Sequence, residues 1–425
     1  MSRHSYAAAE RFILSREFFG MKLGLENITA FLESIGSPQY GYKTIHIAGT
    51  NGKGSTAAML AAIFQAQGYK TGLFTSPHLV SLRERVRVNG RTIPRSSVAS
   101  FVDRHRKALS KRKLSFFEVI TAMALEYFAR AGVDIAVIET GLGGRLDASN
   151  VLSPLMTITT DISRDHLEIL GTTIAKIARE KAGIVKESVP HLVGLLPESA
   201  EAVIRKRCLR VGAPFFKLSR GNFRTDSAAM RLNFKYNGLE LRNIAPSLLG
   251  THQLRNTALV LKAISILRER GLVVSKKAIR DGISNTIWRG RFQVIHYRRK
   301  PTHVFDVCHN ASGLESFAET FQLVFPGRRA KVITGFVKRK EHQKMFDSLS
   351  RIADSYALVP LKSGRSTNLD ELVGSINWRG IPFKKYGSLK TAYSKTLGNS
   401  DPEDVVVIVG SHFLVGEFFE KYRVR

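Results

Sequence analysis

Gly49-Thr50-Asn51-Gly52-Lys53-Gly54-Ser55 is the segment whose residue types most directly suggest chemistry. Its glycines let backbone N–H groups close around phosphate oxygens, and a helix starting there would add its N-terminal dipole. Lys53 would supply a point charge for the outer phosphates, and Ser55 a hydroxyl near a metal ion. Gly54, between the lysine and the serine, sets the segment apart from a strict Walker A loop. The competing reading is a glycine-rich strand-to-helix turn with an incidental lysine.

Further candidate groups follow. In Thr75-Ser76-Pro77-His78-Leu79, proline holds Ser76 extended, so its hydroxyl can be aimed at a metal or substrate. A plain loop would look the same. Glu139 opens the run Glu139-Thr140-Gly141-Leu142-Gly143-Gly144-Arg145-Leu146-Asp147. A carboxylate at the C-terminal end of a buried strand, beside a phosphate loop, suits Mg²⁺; a helix cap or a salt bridge is its alternative. Asp165-His166-Leu167-Glu168 and Glu180-Lys181-Ala182-Gly183-Ile184 come next. Taken alone, His166 reads as structural and Lys181 as solvated.

The elements that must position these groups alternate. Residues 44–48 are short, apolar and β-branched, as a buried parallel strand should be. After the glycine loop, 56–67 is alanine-rich and helix-forming, Gly68 stops it, and 71–74 is the next strand. Helices are expected over 118–130, 174–182 and 252–270, and strands over 134–139, 155–160 and 191–195. Asn237-Gly238 marks a hairpin within 233–241. This rhythm predicts a mostly parallel α/β sheet. Gly290 and the basic residues after it mark a boundary near 288–299. A second series then begins, with strands over 304–308, 331–334, 356–361 and 404–409 and helices over 313–325 and 342–353.

The 425 residues suit two or three domains, and 44% hydrophobic content gives a globular core. No apolar run is long enough to span a bilayer, and residues 1–4 open no signal-peptide core, so a cytoplasmic protein is expected. Cys208 and Cys308 read as ordinary thiols. The net charge of +30, from 65 Lys and Arg against 35 Asp and Glu, would attract nucleotides, polycarboxylates or nucleic acid. The basic clusters at 104–107, 111–113, 298–300 and 338–340 are scattered, without interleaved aromatics. A basic solvated surface accounts for them.

Taken together, the motifs GTNGKGS, TSPHL, FFE, ETGLGGRLDASN, DHLEILG and EKAGIVK, then His252-Gln253 with Asn256, Gly290-Arg291-Phe292, and Asp306 with His309-Asn310, occur in one order. The set resembles the folylpolyglutamate synthase/dihydrofolate synthase family of the Mur ligase superfamily, over most of the chain. The resemblance implies a large P-loop-type ATP-binding domain over 1–295 that includes the folate site. A smaller Rossmann-like glutamate-ligase domain would follow over 296–425. It implies that Thr50, Asn51, Gly52, Lys53, Gly54 and Ser55 hold the ATP phosphates, with Asn256, Arg291 and Asp306 as further ATP contacts. Ser76 and Glu139 would bind one Mg²⁺ and His166 a second; Lys181 would be carbamylated. Phe116, Phe117, Glu118, Leu146, Asp147 and Ala148 would line the pterin pocket, and His309 would help position the second substrate. Phe116 and its neighbours would also suit the start of a core helix.

The implied reaction activates a carboxylate by transfer of the γ-phosphoryl group of ATP, and the amine of L-glutamate then displaces phosphate. Dihydropteroate or a reduced folate would be the acceptor, and a monomer without membrane or nucleic-acid partners is expected. The C-terminal motif departs from the family's usual Asp-Gly-Ala-His-Asn-Pro at Val307-Cys308 and Ala311, and basic residues over 338–340 replace its usual Asp-Lys-Asp. The alternatives are a Mur-type ligase acting on another carboxylate, against which the FFE and LDASN segments speak, and a basic nucleic-acid binder, for which no helix-turn-helix, RRM or zinc pattern appears.

Overall fold

The computed structural model describes residues 5–19, 24–338, 340–376 and 380–424; residues 1–4 and Arg339, both noted in the sequence, lie outside them. The apolar run at 44–48 forms the strand Lys43–Ala48, buried from Thr44 onward. It sits inside an eight-stranded sheet between parallel neighbours Ile135–Glu139 and Met156–Thr159. Beyond the first lie parallel Thr71–Phe74 and then the antiparallel strands Val86–Val88 and Arg91–Thr92. Beyond the second lie His191–Val193 and Phe215–Lys217. Since the central strands run one way, the loops after Lys43–Ala48, Thr71–Phe74, Ile135–Glu139 and Met156–Thr159 all open at one sheet edge, the usual ligand edge of such folds.

The helix after the phosphate loop spans Lys53–Gln67, starting earlier than the expected 56. Gly52 is left-handed (φ 81°) and ends the loop there, so Lys53, Gly54 and Ser55 form the first turn although glycine is a poor helix former. Gly49 (φ 151°) has a steric reason to be glycine: a Cβ on it would lie 2.0 Å from Thr160 Oγ1. On one face of the sheet, this helix packs with Thr251–Glu269 and Lys276–Ser284 around Ile45, Leu60, Phe64, Leu261 and Ile279. Phe116–Ala131 belongs to a second core that contains Phe31, Phe74, Phe128 and Ile138. Each such buried side chain contributes about 1.5–3 kcal/mol.

The expected hairpin forms from Arg231–Tyr236 and Leu239–Ile244 around left-handed Asn237 and Gly238, and Phe223–Asp226 makes it a three-stranded sheet. A six-stranded sheet follows in the order Gln293–Tyr297, Lys300–Asp306, Val405–Val409, Ala330–Thr334, Ala353–Leu358 and Phe383–Lys385. All its pairings are parallel except the first. Its first strand spans the boundary expected at 295/296. The helix expected over 342–353 ends at Leu349, and Ala353 already starts the next strand. Among the described residues no helix is long and apolar enough to cross a membrane. Both cysteines are free and buried.

Candidate active site

The loops at the ligand edge and the start of the smaller sheet enclose a cavity of about 280 Å³. All seven residues of the glycine loop line it, together with Ser76, Glu139, His166, Lys181, Asn256, Arg291, Asp306 and His309. Every residue expected to serve phosphate, metal or catalysis is thus gathered in one place, although these positions span most of the chain.

The glycine loop is braced from outside. Thr50 N–H donates to the Asp161 carbonyl at 2.7 Å, and Thr50 Oγ1 donates to the Ser163 carbonyl at 3.1 Å. Gln253 Nε2 donates to Ser55 Oγ at 3.2 Å, and Asn256 Nδ2 donates to Gln253 Oε1 at 3.0 Å. A Cβ on Gly52 would meet Asn256 Oδ1 at 2.7 Å, so this side chain sits directly on the loop. Lys53 folds back to donate to the carbonyls of Gly49 (3.0 Å) and Thr50 (3.1 Å), and lies 4.0 Å from Glu139.

Glu139 ends its strand with a buried carboxylate, which accepts from Ser76 N–H at 3.1 Å. Burial pushes its pKa up, and Lys53 pulls it back. The ammonium of Lys181 is also buried and donates to Gly49 O at 2.7 Å. Burial, reinforced by Lys53, brings its pKa down to about 7. Two lysines and one buried carboxylate around the loop form a preorganised field for phosphate and for a divalent cation.

Among the described residues no three His, Cys, Asp or Glu side chains converge as a metal cage. That fits Mg²⁺, which takes one or two protein ligands and completes its shell with phosphate and water oxygens. Glu139 and Ser76 offer such a partial set of hard oxygen donors. His166 lines the same cavity in a left-handed conformation (φ 49°), and its side chain is exposed.

The smaller sheet supplies the opposite wall. Asp306 is buried, and its oxygens accept from Phe292 N–H (2.8 Å) and Cys308 N–H (2.7 Å). Burial raises its pKa, with Arg291 opposing. The Arg291 guanidinium makes no hydrogen bond or ion pair to another described residue and is available to a ligand. His309 Nδ1 donates to the Val307 carbonyl at 3.1 Å, which leaves Nε2 as the unprotonated nitrogen. Burial holds its pKa at about 4.

Three cavity residues had no role assigned from the sequence, although Asp165 and His252 stand within its motifs. Asp165 ties the two walls together: Lys340 ion-pairs with it, Asn310 Nδ2 donates to it at 3.2 Å, and His309 Nε2 lies 3.7 Å away. Burial works against its ionisation, but His166, Lys340 and His309 outweigh it and hold its pKa well below the carboxylate range. Asn310 also donates to Asn51 Oδ1 at 3.2 Å. His252 lines the cavity with a buried Nδ1 that has no hydrogen-bond partner among the described residues. His412 faces His309 with ring centroids 5.4 Å apart. A lone histidine after Ser411 gives no sequence signal for this; only the fold brings it here.

The six residues expected around the pterin do not line this cavity. Glu118 is buried in a capping box, accepting from Ser115 N–H (2.8 Å) and Ser115 Oγ (2.7 Å). Asp147 is buried too, accepting from Leu142 N–H (2.8 Å) and Ser149 N–H (3.0 Å), so it pins the glycine-rich turn. Phe117 covers Gly141, where a Cβ would lie 2.4 Å from its ring, and the Arg85 guanidinium stands 5.2 Å over Phe116. Leu146 is half-buried and Ala148 buried in the same region.

Comparison with known proteins gives a consistent picture. Residues 47–264 match the Mur ligase middle domain, and residues 290–412 match the Mur ligase glutamate ligase domain. The chain is 33% identical to the dihydrofolate synthase/folylpolyglutamate synthase of Bacillus subtilis, over 99% of each chain. The structure superposes on Escherichia coli FolC in complex with DHPP and ADP with a TM-score of 0.87, at 31% identity, covering 98% of this chain and 97% of that one. It superposes equally well (0.87) on a bifunctional folylpolyglutamate synthase/dihydrofolate synthase from Yersinia pestis complexed with AMPPNP and Mn ion, at 26% identity, covering 99% of this chain and 98% of that one.

Proposed function

The chain belongs to the dihydrofolate synthase/folylpolyglutamate synthase family of Mur ligases, and from that premise we propose that it is an ATP-dependent ligase joining L-glutamate to dihydropteroate and to the glutamate tail of reduced folates. The observation that carries the reading is the single cavity in which phosphate-loop, carboxylate and C-terminal groups converge. ATP and a divalent cation are the cofactors that this donor set fits.

A carboxylate is a poor electrophile. Transfer of the γ-phosphoryl group makes it an acyl phosphate and releases ADP; the amine of glutamate then attacks and phosphate leaves. The chain's own contribution is position and charge. Lys53 and Arg291 face the transferring group, while Asn256 and Asp306 hold the rest of the nucleotide. Glu139 and Ser76 would hold one metal ion and His166 a second, neutralising phosphate charge. His309, with Nε2 unprotonated, stands where a proton from the incoming ammonium can go. Phe116, Phe117, Leu146, Asp147 and Ala148 form the region assigned to the pterin, with the two rings as its flat walls, and Glu118 supports it by capping the helix that carries them.

We further propose that Lys181 is carbamylated. An amine brought down to about 7 is substantially neutral at physiological pH and can add carbon dioxide, losing a proton. The product replaces a buried cation beside Lys53 with an anion. The chain is assigned to the cytoplasm as a monomer.

The experiment is direct: incubate the protein with ATP, Mg²⁺ and L-glutamate, offer dihydropteroate or a reduced folate, and identify products by mass. ADP with a glutamate-extended product is expected. ADP formation without extension of either acceptor overturns the proposal.

A further inference from the structure

Behind the Ser76-Pro77 turn lies a second, smaller chamber of about 30 Å³. It is continuous with the reaction cavity, because Gly54, Ser76, Pro77, Arg291 and His412 line both. Arg87, Arg289 and the indole of Trp288 form much of its remaining wall, which Thr75, Leu79, Glu84 and Val307 complete.

The charges there do not balance. Arg87, Arg289 and Arg291 bring three guanidinium groups, and Glu84 is the one acidic side chain of the lining. Both Glu84 oxygens are spent on backbone: Oε2 accepts from Leu79 N–H at 3.0 Å, and Oε1 from Val80 N–H (3.0 Å) and Ser81 N–H (2.9 Å). Among the described residues none of the three arginines has an ion pair. Arg87 is fixed through Nε to the Glu84 carbonyl (3.1 Å) and stands 5.7 Å over the Trp288 ring. Arg289 donates to the Val424 carbonyl and lies 4.7 Å from the Phe419 ring, while its buried Nε has no partner among the described residues. Burial lowers the pKa of Arg87, with Glu84 opposing and Arg289 adding to the lowering, and burial followed by Arg291 lowers that of His412. Partly buried guanidinium groups that outnumber the nearby carboxylates and form no direct ion pair make an anion site, and their planar forks favour carboxylates.

We propose that this chamber binds the α-carboxylate of the terminal residue of a γ-linked glutamate tail, the residue whose own γ-carboxylate is being activated. The inference rests on the reading that the enzyme extends such tails. Chain continuity selects the ligand. The reacting γ-carboxylate must lie by Ser76, Gly54 and Arg291 to meet the γ-phosphate, and a tail carries its next carboxylate a few bonds away. Dihydropteroate has no such second carboxylate and leaves the chamber empty. The chamber therefore distinguishes tail extension from addition of the first glutamate.

The test compares Arg87→Gln and Arg289→Gln with wild type on dihydropteroate, a monoglutamyl reduced folate and its triglutamyl form. Loss of one charge-assisted contact should raise KM for both the monoglutamyl and the triglutamyl substrate about tenfold or more. KM for dihydropteroate, ATP and glutamate should stay within about twofold. Arg289→Lys should recover part of the loss, and the Arg87 variant guards against damage to the Arg289 packing on Phe419. An equal rise for all acceptors, or a rise confined to ATP, overturns the subsite. If wild type fails to extend any tailed folate, the reading beneath it falls as well; if wild type extends tails and the variants do so unimpaired, the subsite alone is wrong.

Discussion

Asp165 and Lys340 form a largely buried ion pair between the loop that follows a strand of the eight-stranded sheet and the loop that follows a strand of the six-stranded sheet. With Asn310 and His309 on the same carboxylate, it is the main polar tie across the cavity. Removing one partner of such a pair leaves an uncompensated charge, at a cost of about 3–5 kcal/mol. Asp165→Asn and Lys340→Met should each lower kcat/KM for glutamate by about a hundredfold. The double variant should fall well short of the product of the two losses. Fully additive losses would show that the two side chains act apart.

Lys53 should be indispensable for turnover. Its ammonium already rests on two loop carbonyls, so it costs little to redirect to phosphate. Lys53→Ala should lower acceptor-dependent ATP hydrolysis by at least about 10²–10³-fold with an unchanged far-UV spectrum. Near-normal turnover would remove the phosphate-loop assignment.

Lys181 predicts a pH effect on stability. Its folded pKa of about 7 lies below the unfolded value of about 10.4. Between the two, the unfolded chain carries the extra proton, so unfolding becomes less favourable as pH rises. In carbon dioxide-free buffer, wild-type Tm should rise from pH 7 toward pH 10 relative to Lys181→Met, and the two curves should run parallel below pH 6. Adding bicarbonate near neutral pH should restore activity to wild type but not to the variant. Parallel Tm curves throughout would show that Lys181 does not carry this shift.

Glu118 and Asp147 separate a cap from a substrate contact. Glu118→Ala breaks the capping box with Ser115 and should cost about 1 kcal/mol of stability, leaving KM for dihydropteroate nearly unchanged. Asp147→Asn loosens the turn at Leu142 and should raise that KM about tenfold while ATP binding stays intact. Reversed effects in steady-state and melting measurements would exchange the two roles.

The central strands and the loop after Lys43–Ala48 were legible because β-branched runs followed by glycine have few other solutions. The Arg95–Lys111, Glu198–Val211 and Lys276–Ser284 helices were missed: each is strongly polar and buries only a narrow stripe, such as Val98, Phe101 and Val102 in the first. Loop residues such as Ser76, Glu139 and Lys181 could be named only as part of an ordered set of motifs. The role of Asp165, and His412 altogether, were out of reach, since their meaning lies in Lys340 and His309, far away in the chain. Glu118 shows the reverse, a residue with a functional expectation whose carboxylate caps its own helix.

The strand Val405–Val409 lies between Lys300–Asp306 and Ala330–Thr334, at the middle of the smaller sheet. During synthesis, the sheet that carries Asp306 therefore stays open until this late segment leaves the ribosome, and His412 follows directly behind it. The eight-stranded sheet has all its strands by Lys217 and the helices that pack on it by Ser284, so it can fold first, as separate units generally do. A nascent chain would thus acquire its phosphate-binding loop before its opposite wall, so the groups that complete the cavity arrive last. Capacity to bind and capacity to react are separated in time by the order of the strands.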